Sequence, residues 1–256
     1  MRPSEKPAEV ARVLLSRLPT REPVDVEAVA RALQLRIGRV STTGFVGAML
    51  PWAEGVGGLI NINGSFREDR QRFTIAHEIG HYMLLDNKVA PSVCSFEDVG
   101  TWRSDSRRER AADIFAAELL LPDQEVRSLI SEHAVTFRTA ELIKKTYHVS
   151  LTTAAYRCVE LSNDECALVV TVKGIVKSYK PSASWAYPIL TNRAIGRGTM
   201  ARKLFDHPAE LDLCGIVFAR EWASEREYMD LDVQLWEESI SQIGYNTILS
   251  FLTALD

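Results

Sequence analysis

No stretch of the 256 residues is apolar for long enough to span a bilayer, which argues against a helical membrane segment and a membrane partner. Cysteine is sparse. Cys94, Cys158, Cys166 and Cys214 are scattered and form no CxxC pair, so neither a cysteine zinc site nor a disulfide framework is suggested, and a reducing cytoplasm is the simplest home. An excess of basic charge is missing too. Lys and Arg total 30 against 34 Asp and Glu, a net charge of −4, whereas a protein that holds nucleic acid chiefly through phosphates is usually basic. The N-terminal MRPSEKPAEVARVLL has charges throughout and no uninterrupted apolar core, so it reads as an amphipathic helix rather than a signal peptide. There is no internal repeat and no low-complexity tract. What remains is an ordinary globular composition, 46% hydrophobic and 25% charged, in a chain long for one domain and comfortable for two.

Apolar spacing organises this chain into three regions. Val10, Val13, Leu14 and Leu18 recur at helical intervals, and Asp25 can cap a second helix carrying Val26, Val29, Ala30 and Leu33. Short apolar segments at 35–40, 44–50 and 58–62, punctuated by glycine and Pro51, read as strands. Residues 66–85 are helical, 86–106 polar and irregular, and a strong helix starts near Arg107 and ends at Pro122. Three short helices follow at 124–132, 137–147 and 151–162. The break at His148–Val149–Ser150 resembles a helix-turn-helix. From Ala167 the pattern turns to strands: a hairpin around Lys173–Gly174, further strands at 211–219 and 229–236, and a final segment that fits strand or helix. The expected domains are 1–122, 123–162 and 163–256, in an α+β arrangement.

The chemistry concentrates in RFTIAHEIGHYMLL. His77 and His81 stand four apart on a helix, hence on one face, and both imidazoles can reach one metal ion. Glu78, next to the first histidine, can project toward water on that metal and take its proton as general base. An apolar helix gains nothing in packing from His-Glu and His at this spacing, because buried polar groups need partners.

A hydrolytic zinc site needs a third protein ligand and an open position. The short spacing to a third histidine is missing, since residue 84 is Leu and residue 87 is Asn. The candidates downstream are Glu97, Asp98, Asp105, Glu109, Asp113 and Glu118, the last of which also fits a solvated position. Glu109 is the best of them: it opens the second strong helix, and Asp113 lies one turn on. In this ExxxD the glutamate can bind metal while the aspartate accepts a hydrogen bond from the non-metal nitrogen of a ligand histidine.

RFTIAHEIGHYMLL followed by ERAADIFAAELLLP resembles the ImmA/IrrE family of metallopeptidases. These are gluzincin-like proteins, many of which cleave XRE-type helix-turn-helix repressors. The resemblance implies a zincin-like domain over 1–122, zinc held by His77, His81 and Glu109, and Glu78 as base. Asp113 stands where the family often has asparagine, and Leu121 where it usually has methionine. The match is specific over about 58–122. Residues 123–162 are similar to the helix-turn-helix-like region of longer members, and the remainder is loosely similar to a GAF-like, sensory or partner-binding domain.

Gly58–Asn63 reads either as an ordinary sheet strand or, by its resemblance to zincin folds, as the edge strand, where Ile60 and Asn61 would offer backbone groups to an extended substrate. The helix-turn-helix segment carries Lys144, Lys145 and Arg157, thin for phosphate contacts, so DNA binding is the minor expectation. Four arginines over 103–110 read as a solvated helix start. Tyr82, Tyr147, Tyr156, His133 and His148 are candidate oxyanion donors among which spacing cannot choose. The expected reaction is hydrolysis of a peptide bond in a protein partner. The rival is a regulator that keeps the metal site but acts by binding DNA or a repressor.

Overall fold

The computed structural model describes residues 6–18, 22–53, 56–84, 92–94, 107–223, 232–242 and 246–255. It is a mixed α and β fold that divides into two compact units, Met1–Glu125 with Ile143–Thr153, and Val126–Leu142 with Ala154–Asp256. Among the described residues no helix is long and apolar enough to cross a membrane.

The first unit opens with α1 (Pro7–Ser16) and α2 (Val26–Ala32). Asp25 caps α2 as its position predicts, accepting from the amides of Glu27 and Ala28 at 3.0 Å. Strands β1 (Leu35–Val40), β2 (Gly47–Pro51) and β3 (Gly58–Asn63) follow, then the long helix α3 (Glu68–Leu84), β4 (Ser92–Cys94) and α4 (Arg107–Leu120). The sheet order is β1-β3-β2-β4, with β1 parallel to β3 and the other pairs antiparallel.

That order corrects one expectation. β3 is an inner strand: all six of its residues pair with β1, and Gly58 to Ile62 pair with β2 on the other side. The backbone of Ile60 and Asn61 is already committed to the sheet, and the Ile60 side chain is buried. No substrate strand can add there. A short apolar segment looks the same in sequence whether its neighbours lie on one side or two.

Helices α3 and α4 pack closely because Gly80 has no side chain. A Cβ at that position would stand 3.1 Å from the Phe115 ring and 3.2 Å from the Ala112 backbone. Apolar Phe115, Ala116, Leu119 and Leu120 of α4 are all buried. Glu118 is buried with them, not solvated. Its carboxylate accepts from Arg12 Nε of α1 at 2.8 Å and from the Asp123 amide at 3.3 Å. It therefore ties α1 to α4 and closes the turn after α4.

Helices α5 (Asp123–His133), α6 (Phe137–Tyr147) and α7 (Leu151–Leu161) match the three short helices read from sequence. The break between α6 and α7 has a definite chemistry. His148 takes a left-handed φ of 54°, and the Val149 amide returns to the Lys144 carbonyl at 3.3 Å, closing the helix end. Ser150 Oγ then accepts from the Thr153 amide at 3.0 Å and starts α7. Arg72 of α3 donates to the carbonyls of Val24, Tyr147 and His148, which holds this turn against the first turns of α3.

The second unit is built on an antiparallel sheet of order β6-β5-β9-β8-β7: β5 (Cys166–Val172), β6 (Ile175–Pro181), β7 (Asp212–Phe218), β8 (Gln234–Gln242) and β9 (Thr247–Ala254). One face packs α8 (Met200–Asp206) and a core of Val169, Leu204, Val217, Trp222, Leu235 and Leu252. On the other face Phe137 stacks on Phe251, ring centroids 4.5 Å apart, and its amide donates to Glu238. The strand expected at 229–236 begins only at Gln234 and runs on to Gln242, and residues 229–231 lie outside the described residues.

Candidate metal centre

Three polar atoms meet where α3 and α4 face each other. His77 Nε2 and His81 Nε2 are 3.0 Å apart, and Glu109 Oε2 lies 3.1 Å from each. One helix turn supplies the two imidazoles, and the first turn of α4 supplies the carboxylate. Both histidines are buried, while Glu109 keeps some exposure. His77 Nδ1 donates to Asp113 Oδ1 at 2.9 Å. That bond commits the ring proton to Nδ1 and turns the Nε2 lone pair toward the cluster.

Electrostatics points the same way. Burial by itself would lower the pKa of His77, but the hydrogen bonds to Asp113 and Glu109 outweigh it and raise the group to about 9. Burial would raise Glu109, yet its contacts with His77 and His81 pull it below the ordinary carboxylate range. The two carboxylates thus favour positive charge between the rings.

This donor set fits a small divalent cation. Three lone-pair atoms at such separations repel one another unless a proton or a cation sits among them. Tetrahedral ligand atoms ~2.0–2.1 Å from zinc stand roughly 3.4 Å apart, so the triangle need open only slightly. Among the described residues His77, His81 and Glu109 are the one group of such side chains able to share an ion.

Glu78 is fully buried beside this triangle. Its carboxylate lies against Gly47 of β2, and the Thr74 methyl packs on the same glycine. A Cβ at residue 47 would come within 2.5 Å of Glu78 Oε1 and 2.6 Å of Thr74 Cγ2. Gly47 therefore leaves the space that the Glu78 carboxylate and the Thr74 methyl fill. The sequence reading missed Gly47 and Thr74, since one glycine in an apolar strand carries no signal of what it faces. Gly47→Ala is expected to cost ~1–3 kcal/mol through overpacking, and markedly less in a Glu78→Ala background, with a coupling of ~0.5–3 kcal/mol. Denaturant titration of the four proteins of that cycle measures it, and strict additivity would show that residue 47 does not seat Glu78.

The other residues singled out fall elsewhere. Glu118 is held by Arg12 and the Asp123 amide, away from the histidines. Glu97, Asp98 and Asp105 lie outside the described residues, as do residues 103–106 of the arginine run. The Tyr82 hydroxyl accepts from the Gly57 amide at 3.0 Å, and the Tyr156 hydroxyl is 3.4 Å from Ser178 Oγ. Tyr147 is buried, His133 is half exposed, and the main chain of His148 receives Arg72.

The chain is 34% identical over 102 residues to the radiation response metalloprotease IrrE of Deinococcus deserti, covering 40% of this chain and 36% of that protein. It is 32% identical over 104 residues to the protein of that name from Deinococcus radiodurans, covering 40% of this chain and 31% of the relative. The matches thus span about a third of the length of these relatives. A solved Mycobacterium tuberculosis transcriptional regulator shares the fold, with a TM-score of 0.63 at 10% identity, over 97% of this chain and 75% of that one. Residues 30–159, which carry His77-Glu78-x-x-His81 and the distal Glu109, match the IrrE N-terminal-like domain, and the chain belongs to that metalloprotease family.

Proposed function

We propose that the chain is a zinc-dependent endopeptidase that cuts a protein partner, a helix-turn-helix transcriptional repressor of the XRE type. The observation that carries the reading is the convergence of His77 Nε2, His81 Nε2 and Glu109 Oε2 within 3.1 Å, with the Glu78 carboxylate buried alongside. Two imidazoles and one carboxylate are a ligand set of catalytic zinc, which leaves a fourth position for water or substrate. When bound, zinc supplies Lewis acidity that polarises the scissile carbonyl and makes water acidic.

The chain's own residues supply the rest. Asp113 fixes the tautomer and orientation of His77 through its 2.9 Å hydrogen bond. Glu78 accepts a proton from the attacking water and passes it to the leaving amine, so one carboxylate serves as base and then as acid. Its buried seat against Gly47 holds it in place for both transfers.

In this reading residues 1–122 form a zincin-like catalytic domain. Residues 123–162 are a helix-turn-helix-like segment, and 163–256 are a GAF-like sensory or partner-binding domain acting in the cytoplasm. Resemblance to repressor-cleaving relatives supports the substrate class. The test is to co-express the chain, or its Glu78→Gln variant, with candidate XRE-type repressors and measure the repressor by intact mass. A partner cut only by the wild type supports the peptidase. Relief of repression by both proteins, with no cleavage, makes the chain a non-catalytic regulator.

A further inference from the structure

The sheet of the second unit has two edges of different construction. β6 carries Lys177, Lys180 and Pro181, and its pairing with β5 shifts register between Val170 and Thr171. Lysine, proline and irregular pairing keep an edge from recruiting another strand. β7, DLCGIVF, has no lysine and no proline, and its only charge is Asp212 at its start. All seven of its residues pair in register with β8. Among the described residues no strand pairs with its outer side.

The outward groups of β7 can be read from its ladder. The Ser241 amide donates to the Leu211 carbonyl, and the Ala219 amide to the Val233 carbonyl. Odd-numbered residues therefore turn their main-chain groups toward β8, and Asp212, Cys214, Ile216 and Phe218 turn theirs away. Side chains alternate in the same way. Val217 is buried, and a Cβ on Gly215 would lie 2.7 Å from Met200 of α8, so the odd residues face the core. Ile216 faces the opposite side, directly across from Trp236 of β8. Phe137 covers that face over Phe251 and Glu238, but the cover thins toward β7: Ile216 is 55% exposed and Trp236 40%.

We propose that β7 is a homodimerisation edge, at which a second copy of this chain adds its own β7 antiparallel about a two-fold axis at Gly215. A second copy suits the strand because the strand complements itself. With Gly215 on the axis the seven residues overlap fully, a ribbon ~24 Å long. Leu213 meets Val217 of the other copy, Cys214 meets Ile216, and Asp212 meets Phe218, so the one charge never faces itself. Just beyond the strand ends, Glu210 falls opposite Arg220, which is opposite in sign. Ile216 and Trp236 of both copies line one side of the joined sheet and bury each other's exposed surface. Each copy gives and receives the same contacts, as closed two-fold dimers require.

Sedimentation velocity and light scattering of the full chain across micromolar concentrations test this. The expected mass is twice the 28.7 kDa of one chain. Ile216→Pro removes an outward amide without breaking the ladder to β8, and Ile216→Lys places a charge on the apolar strip. Each should weaken the dimer about tenfold or more, with circular dichroism and zinc content unchanged. A wild-type chain that stays monomeric at every concentration overturns the proposal and leaves the edge to a different protein. A dimer that survives both substitutions in folded protein overturns it too, because its interface is then elsewhere.

Discussion

Glu78→Gln is expected to keep its zinc and its fold and to lose peptide hydrolysis by ~10²–10⁴-fold, the usual worth of a positioned general base. The substitution keeps the size of the side chain and removes its basicity. Glu78 is outside the triangle of His77, His81 and Glu109, so metal content should not change. Its fully buried carboxylate lies against Gly47, and an amide of equal volume fits the same space. Burial of an uncharged amide is also less costly than burial of a carboxylate, so stability should not fall. Three measurements on one preparation decide the matter: zinc by elemental analysis, thermal unfolding, and cleavage of a repressor that the wild type cuts. Full cleavage by the zinc-loaded variant would remove Glu78 from the reaction. Loss of zinc along with activity would instead make it a ligand.

The metal centre was legible because both its halves are local helical patterns. His77 and His81 stand four positions apart, as do Glu109 and Asp113, so each pair shares a helix face wherever the helices go. What sequence could not supply was which elements become neighbours. The apolar run Gly58–Asn63 reads the same as an edge or an inner strand, and it proved inner, with β1 and β2 on its two sides. Burial of polar groups misled the reading elsewhere. Glu118 looks solvated on a helical wheel but is buried against Arg12 and the Asp123 amide. In β8 the inward positions are Leu235, Glu237 and Ser239, so the apolar alternation that marks a strand fades after one residue. Glu237 is tolerated inside because Ala201 N–H, Trp222 Nε1 and Ser239 Oγ all donate to it. Those partners are remote in sequence or invisible to periodicity, and α8, which presents the Ala201 amide, was not anticipated at all.

Glu109→Ala should abolish stoichiometric zinc binding, while Asp113→Asn should only weaken it. Glu109 contributes the oxygen that stands 3.1 Å from both imidazole nitrogens, and alanine removes it, leaving two ligand atoms where three converged. Asp113 acts one bond further out, through His77 Nδ1 at 2.9 Å. Asparagine can still accept that hydrogen bond through its amide oxygen, but it no longer strengthens the basicity of the ring. Partners of this kind are typically worth ~10–100-fold in metal affinity. The order of effects is therefore the informative quantity. Competition against a chromophoric chelator should give about one zinc per wild-type chain, an affinity ~10–100-fold lower for Asp113→Asn, and a loss beyond that range for Glu109→Ala. Wild-type zinc affinity in a folded Glu109→Ala protein would move the third ligand to another carboxylate. Equal losses for the two variants would mean that Asp113 binds the ion itself. Both residues lie on α4 where it faces α3, and Asp113 is buried there, so each variant needs its unfolding curve measured first, and only those that unfold cooperatively bear on the metal.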